Sequence, residues 1–167
     1  MTNDAPWQAS LWDFATAVYS QPQVESLSLG LQDRHNANVN ILLWAVWLQE
    51  ENIQLSLEVL DDVIATVEAV SLVTVNRLRM VRRDIKEMDN FTKVQSQMIS
   101  KLILNAELAI EKVLLHRLQD MTLKFMEVMP DKVQPVSLLD YLKRLNLQDA
   151  EQEAMQFREA CRSNTLA

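Results

Sequence analysis

The sequence predicts an all-α fold, a multi-helix bundle of about six or seven helices around a buried, Trp-rich helix, with one long amphipathic helix. Three observations predict it. The 167 residues hold a single Gly and four Pro, too few for the frequent tight turns of a strand-rich fold. The run Ile41–Leu48 is the longest unbroken apolar stretch, and Trp44 and Trp47 lie in it, three apart on one face. From Phe91 to about Val128 no Pro or Gly interrupts a helical pattern. At about 1.5 Å rise per residue that helix spans more than about 50 Å, so part of it is expected to project, bend or pair with another subunit.

Each element has its own signal. Residues 1–9 read as a flexible arm. Ser10, with Asp13 three residues on, fits a capping box for a helix Leu11–Tyr19. Leu11, Phe14, Ala15 and Val18 lie on its inward face, and Trp12 extends that face. Pro22 suits the first turn of a second helix, to about His35, since its missing N–H has no intrahelical partner there. Gly30 inside that helix costs about 1 kcal/mol relative to Ala, which suggests close approach of a neighbouring helix. Asn36 is a left-handed stop and Asn38 the N-cap of a third helix, Val39–Glu51. Apolar almost all round, this helix belongs at the centre of the bundle.

Ser56 can cap a fourth helix, Leu57 to about Val70. A fifth, about Thr74 to Met88, carries Val75, Leu78, Val81, Ile85 and Met88 on one side. Asp89 or Asn90 starts the long helix, in which Leu102, Ala106, Ala109 and Val113 form one stripe, continued by Leu114, Leu118, Met121 and Phe125. Pro130 and Pro135 bound a loop. Ser137 and Asp140 start a short helix to Leu145, and Asp149 a last one to about Arg162. The expected organisation is an arm, 1–9, a helical bundle domain, 10–129, and a C-terminal helical extension, 130–167.

Hydrophobic residues make up 49% and charged residues 23% of the chain, ordinary globular usage. The net charge of −7 argues against nucleic-acid binding, which needs clustered Lys and Arg. No run approaches the roughly 20 apolar residues of a membrane span. Cys161 is the one cysteine, too few for an intramolecular disulfide or a cysteine metal site. With no signal-peptide pattern at the N-terminus, the expected compartment is the cytoplasm.

Two blocks carry a resemblance. One is Leu11-Trp12-Asp13-Phe14-Ala15 with Leu31-Gln32-Asp33-Arg34-His35 and Val39-Asn40-Ile41-Leu42-Leu43-Trp44. The other is Leu78-Arg79-Met80-Val81-Arg82-Arg83 with Ala106-Glu107-Leu108. Over about residues 10–120 the chain resembles a family of small uncharacterised bacterial all-helical proteins, a domain of unknown function. The resemblance implies a helical fold and transfers no catalytic residue. Asn36 stands where that pattern has Gly, as a positive-φ cap would allow, and Asn76 stands near its Pro.

The polar knot before the Trp helix is the first candidate site. Asp33 could orient His35 as a general base, with Asn40 beside them and Trp12, Trp44 and Trp47 lining an apolar pocket. The competing reading makes the knot a set of caps and the tryptophans plain core. Arg79, Arg82, Arg83 and Lys86, with Arg77 nearby, share one helical face and form a candidate anion site. Alternatively the carboxylates of Glu107 and Glu111 pair with that face.

Several chemistries lack their residues. Glu107 and Glu111 have no Glu-x-x-His partners for a di-iron bundle. Asp61-Asp62 is followed by no third carboxylate two residues on, only Ile64 and Ala65, so no Asp-rich pyrophosphate motif starts there. His116 and Asp120, four apart, have no second His. A helix-turn-helix reading fails because Val39–Glu51 carries no basic residue. The expectation is a non-catalytic protein-interaction or adaptor module with no catalytic residue, metal or cofactor and no membrane insertion. Its partner would be another protein or a second copy, through the long helix and the C-terminal extension. The alternative is a small-molecule-binding protein or enzyme using the Asp33/His35 pocket.

Overall fold

Helix ends fall where side chains can satisfy them. In the computed structural model, which describes residues 5–163, Ser10 Oγ accepts the Asp13 backbone N–H at 3.1 Å and donates to its carboxylate at 2.7 Å, starting α1, Leu11–Tyr19. Helix α2, Pro22–His35, stops at Asn36, held at φ 57°, whose N–H returns to the Gln32 carbonyl at 2.9 Å. Two residues later Asn38 Oδ1 accepts the Asn40 N–H at 3.0 Å and opens α3, Val39–Glu50. The Tyr141 hydroxyl accepts the Asn38 N–H at 2.8 Å, so this corner is tied to the far end of the chain.

Helix α4, Val59–Val73, and helix α5, Val75–Glu87, meet at Thr74, whose backbone (φ −126°, ψ −88°) breaks what would be one rod. Ser56 only helps this start, its Oγ taking the Glu58 N–H at 3.4 Å. The long helix α6, Lys93–Glu127, begins at Thr92 rather than at Asp89 or Asn90, because Thr92 and Gln95 form the reciprocal capping box. Its 35 residues span about 52 Å. Helices α7, Leu138–Arg144, and α8, Ala150–Arg162, complete eight helices among the described residues. Each segment read along the sequence forms a helix, so the chain is the all-helical bundle expected, with one long helix. No strand is present among them, only an isolated bridge between Ser56 and Pro135.

Helix α3 is the hub. Every side chain from Asn40 to Leu48 is buried, and α1, α2, α4, α6 and α7 all pack on it. Trp44 and Trp47 are fully buried, and each finds the partner that a buried indole N–H needs. Trp44 Nε1 donates to Thr122 Oγ1 at 2.9 Å and Trp47 Nε1 to the Ala9 carbonyl at 2.8 Å.

Three expectations are corrected here. Residues 5–9 are not a loose arm: the Trp7 ring lies 5.0 Å from Trp47, and the Gln8 and Ala9 N–H groups donate to the Glu51 carboxylate. Residues 1–4 lie outside the described residues. Residues 130–163 do not stand apart as an extension, because Leu138, Tyr141 and Leu142 of α7 and Phe157, Ala160 and Cys161 of α8 share the one core with α3. Gly30 admits no neighbouring helix; a Cβ there would meet only the Arg34 side chain of its own helix, at 3.6 Å.

The N-terminal half of α6 behaves differently from the rest. It packs on α5 as a helical hairpin, and burial in the main core begins at Leu114 and Leu115. The stripe Leu102, Ala106, Ala109 and Val113 therefore faces solvent. On α5, Val75 is buried and Leu78 and Ile85 half-buried, while Val81 and Met88 are exposed.

Candidate functional site

The two helix ends that make the α2–α3 corner also decide the fate of the polar knot. With Asn36 and Asn38 spent on capping, Asp33 is exposed on α2 and His35, two residues on and about 200° round the helix, is half-buried. Neither forms a hydrogen bond or ion pair with a described residue, so Asp33 does not orient His35. Trp44 and Trp47 are sealed in the core. Trp12 is half-buried on the opposite rim, where it stacks on His116 at 6.2 Å beneath Lys112 Nζ, 4.7 Å from its centroid. The Asp33, His35 and tryptophan constellation is thus not one site. The cation and aromatic set of Trp12, Lys112 and His116 escaped the sequence reading because Trp12 lies about a hundred residues from the other two.

The basic face of α5 is brought against carboxylates. Arg82 grips Glu107 with both arms, Nε to Oε1 at 2.6 Å and Nη2 to Oε2 at 3.0 Å. Arg79 reaches Glu111 at 2.6 Å and lies 3.7 Å from Glu107. The Glu107 side chain is only 2% exposed. Its hydrogen bond holds the Arg82 guanidinium pKa above the ordinary value. Burial pushes the Glu111 carboxyl up, against the pull of Arg79. Two members of the anion patch are therefore neutralised inside the hairpin, while Arg83 and Lys86 stay exposed.

Between the corner and this ion-pair ladder lies a cleft of about 160 Å³. Asn38, Asn40, Ser71, Asn76, Arg79 and Glu111 line it, with Gln32 and Glu68 at its edges of α2 and α4. Asn38 Nδ2 donates to Ser71 Oγ at 3.1 Å. Asn40 alone among the knot's polar side chains is buried, and it belongs to this cleft rather than to a tryptophan pocket.

The second feature is the outer face of the hairpin. Val94, Met98, Leu102 and Val113 are 74%, 58%, 64% and 62% exposed. With Ala106 and Ala109 they recur at three- and four-residue intervals and so form one stripe. Of the fifteen large hydrophobic residues exposed among the described ones, eleven lie between Leu72 and Val113.

The profile of a family described as a protein of unknown function, DUF2390, matches residues 10–118. The chain belongs to this family. The match runs from α1 through most of α6 and takes in the corner, the cleft and the hairpin. Helices α7 and α8 lie beyond it, although Tyr141 and Phe157 fill the same core. No curated protein and no solved structure matches the chain. Among the described residues no group of three or more His, Cys, Asp or Glu is placed to hold a metal, and no helix is long and apolar enough to cross a membrane.

Proposed function

We propose that this DUF2390 protein is a non-catalytic interaction module that docks an acidic amphipathic helix of another protein on the outer face of its α5–α6 hairpin. The observation that carries the reading is the exposed stripe Val94, Met98, Leu102 and Val113. Contiguous apolar surface of this kind marks binding faces on soluble proteins. From Val94 to Val113 the stripe runs about 28 Å, the length of a helix of about 20 residues, and helices recognise such faces by i, i+3, i+4 and i+7 anchors.

Charge selects the partner. Residues 75–113 carry eight Lys and Arg and five Asp and Glu, net positive by three, on a chain whose total is −7. Between Val94 and Val113 the only carboxylates of α6 are Glu107 and Glu111, both turned onto arginines of α5. Lys101 and Lys112 thus flank the stripe with no acid beside them to complement a second copy of the same face. A partner with an acidic polar face fits better than self-association. A cytoplasmic setting accords with this reading, since the single thiol, Cys161, is buried and unpaired.

The test uses a labelled model peptide, a 20-residue amphipathic helix with Leu on one face and Glu on the other, followed by fluorescence anisotropy. Saturable binding that weakens as salt is raised and is lost in Met98→Glu/Leu102→Glu supports the reading. Equal binding by a peptide with Lys in place of Glu overturns it. So does concentration-dependent self-association abolished by the same variant, or capture of that face by anionic vesicles without peptide binding.

A further inference from the structure

The α2–α3 corner holds a second surface that protein docking on the hairpin does not use. The cleft of about 160 Å³ lies between α2, α3, the α4–α5 kink and α6, and its polar groups divide into two sets. One set is mutually satisfied: Asn38 with Ser71, and Arg79 with Glu111. The other set is not. The Asn40 residue is 6% exposed, its backbone N–H bonds Asn38, and its carboxamide makes no hydrogen bond to any described residue. Among the described residues the fully enclosed polar side-chain atoms without a partner are the Ser28 and Ser100 hydroxyls, so the Asn40 carboxamide keeps an opening, and that opening is the cleft it lines. The side chains of Gln32 and Asn76 and the Glu68 carboxylate, all half-buried at the same cleft, likewise bond no described residue.

Charge accounting fixes the chemistry of what fits there. Arg82 is taken by Glu107 and Arg79 by Glu111. Glu68 has no cation within ion-pair distance among the described residues, so the cleft carries one uncompensated negative charge. An anion would meet two carboxylates, Glu68 and Glu111, against the single guanidinium of Arg79, which already pairs with Glu111. A neutral guest could donate hydrogen bonds to Glu68 but would leave its charge without a counter-ion in a cleft with less water, which is unfavourable for a carboxylate. A cation with N–H donors satisfies the open set, since Glu68 takes its charge and the carboxamide oxygens accept its hydrogens. The volume is that of about five waters, room for a small organic cation but not for a nucleotide or a peptide.

We propose that this cleft is a binding site for a small organic cation of the amine or guanidino class, held by Glu68 and by the carboxamides of Asn40, Asn76 and Gln32. The Arg79–Glu111 pair forms its rigid far wall. The site adjoins the root of the hairpin, so occupancy braces the α4–α5 kink at Thr74 against α3.

The probes are putrescine and agmatine, titrated into the full chain labelled with ¹⁵N, with sorbitol and inorganic phosphate as neutral and anionic controls. The expected result is a saturable shift of the side-chain amide signals of Asn40, Asn76 and Gln32 with one or both amines and with neither control. Glu68→Gln keeps the shape of the side chain and removes the charge. It should weaken binding by about tenfold or more, since a hydrogen bond to a charged group is worth about 1.5–3 kcal/mol. Its thermal midpoint, unchanged from wild type, shows that the fold is kept. The proposal is overturned if neither amine gives a saturable shift, if sorbitol or phosphate shifts the same signals, or if Glu68→Gln binds the amines as wild type does.

Discussion

Arg82 and Glu107 make the hairpin the most sensitive part of the structure to a single charge deletion. The carboxylate of Glu107 is almost wholly buried, while the Arg82 side chain keeps about a quarter of its surface in water. Arg82→Met fills the space of the guanidinium stem but strands the carboxylate. Removing one partner of a fully buried pair costs about 3–5 kcal/mol. Arg79, 3.7 Å from Glu107, softens that loss, so the expected cost is about 2–3 kcal/mol. Adding Glu107→Leu removes the stranded charge, and the double variant should return to within about 1 kcal/mol of wild type, because apolar replacement of a buried pair is often neutral or favourable. Urea unfolding measures both, with the slope m unchanged if only the native state is affected. Hydrogen exchange over Val75–Glu87 places the loss in the hairpin. The reasoning is refuted if Arg82→Met lies within about 0.5 kcal/mol of wild type, or if the double variant is as unstable as the single.

Three further outcomes follow from the core. Thr122→Val leaves the Trp44 N–H buried without its acceptor and should cost about 1–3 kcal/mol in urea; a change below about 0.5 kcal/mol would show that the indole finds another partner. Burial pushes the Cys161 thiol and the Tyr141 hydroxyl each up to about 12, with the acid form retained in the fold while the unfolded chain ionises nearer 9 and 10. Stability contributed by these groups is therefore complete below about pH 9 and lost as pH rises toward 12, at about 1.4 kcal/mol per unit for each group titrating only in the unfolded chain; a stability flat to pH 11 would contradict the burial. Gly30→Ala, whose Cβ meets only ordinary contacts, should stabilise by up to about 1 kcal/mol through helix propensity, and a loss on calorimetry would reveal a packing constraint at that turn.

The helices were legible because their signals are local. Ser10, Pro22, Asn36, Asn38 and Ser137 each act within four residues, and the all-apolar run around Trp44 requires a central position wherever its neighbours come from. Two helix starts fell elsewhere: Ser56 takes only the Glu58 N–H, just ahead of α4, and at Asp89 or Asn90 a reciprocal Thr92–Gln95 box outweighed a lone Asx side chain. What lay outside local reach was tertiary. Val133 to Cys161 is as apolar as the chain at large, but no local signal says which core it joins, and it is Tyr141 and Phe157 that enter the core built on α3. The stripe Leu102–Val113 has the spacing of a buried face, and only the absence of a packed neighbour leaves it in solvent. The pairing of the α5 arginines with Glu107 and Glu111 was legible from charge alone. The cleft was half legible: Asn38 and Asn40 stood out in the sequence, but Glu68, Asn76 and Arg79 reach them only through the kink at Thr74.

The central claim is that the hairpin face binds and other exposed apolar surface does not. The methionines supply an internal comparison, because Met98 on the hairpin stripe and Met155 on α8 are exposed to nearly the same degree, 58% and 60%. The chain labelled at its methionine methyl groups, titrated with the Leu/Glu amphipathic peptide, should show a saturable shift of the Met98 methyl signal while that of Met155 stays in place. Equal shifts at Met98 and Met155, or a peptide that binds without moving Met98, would contradict it.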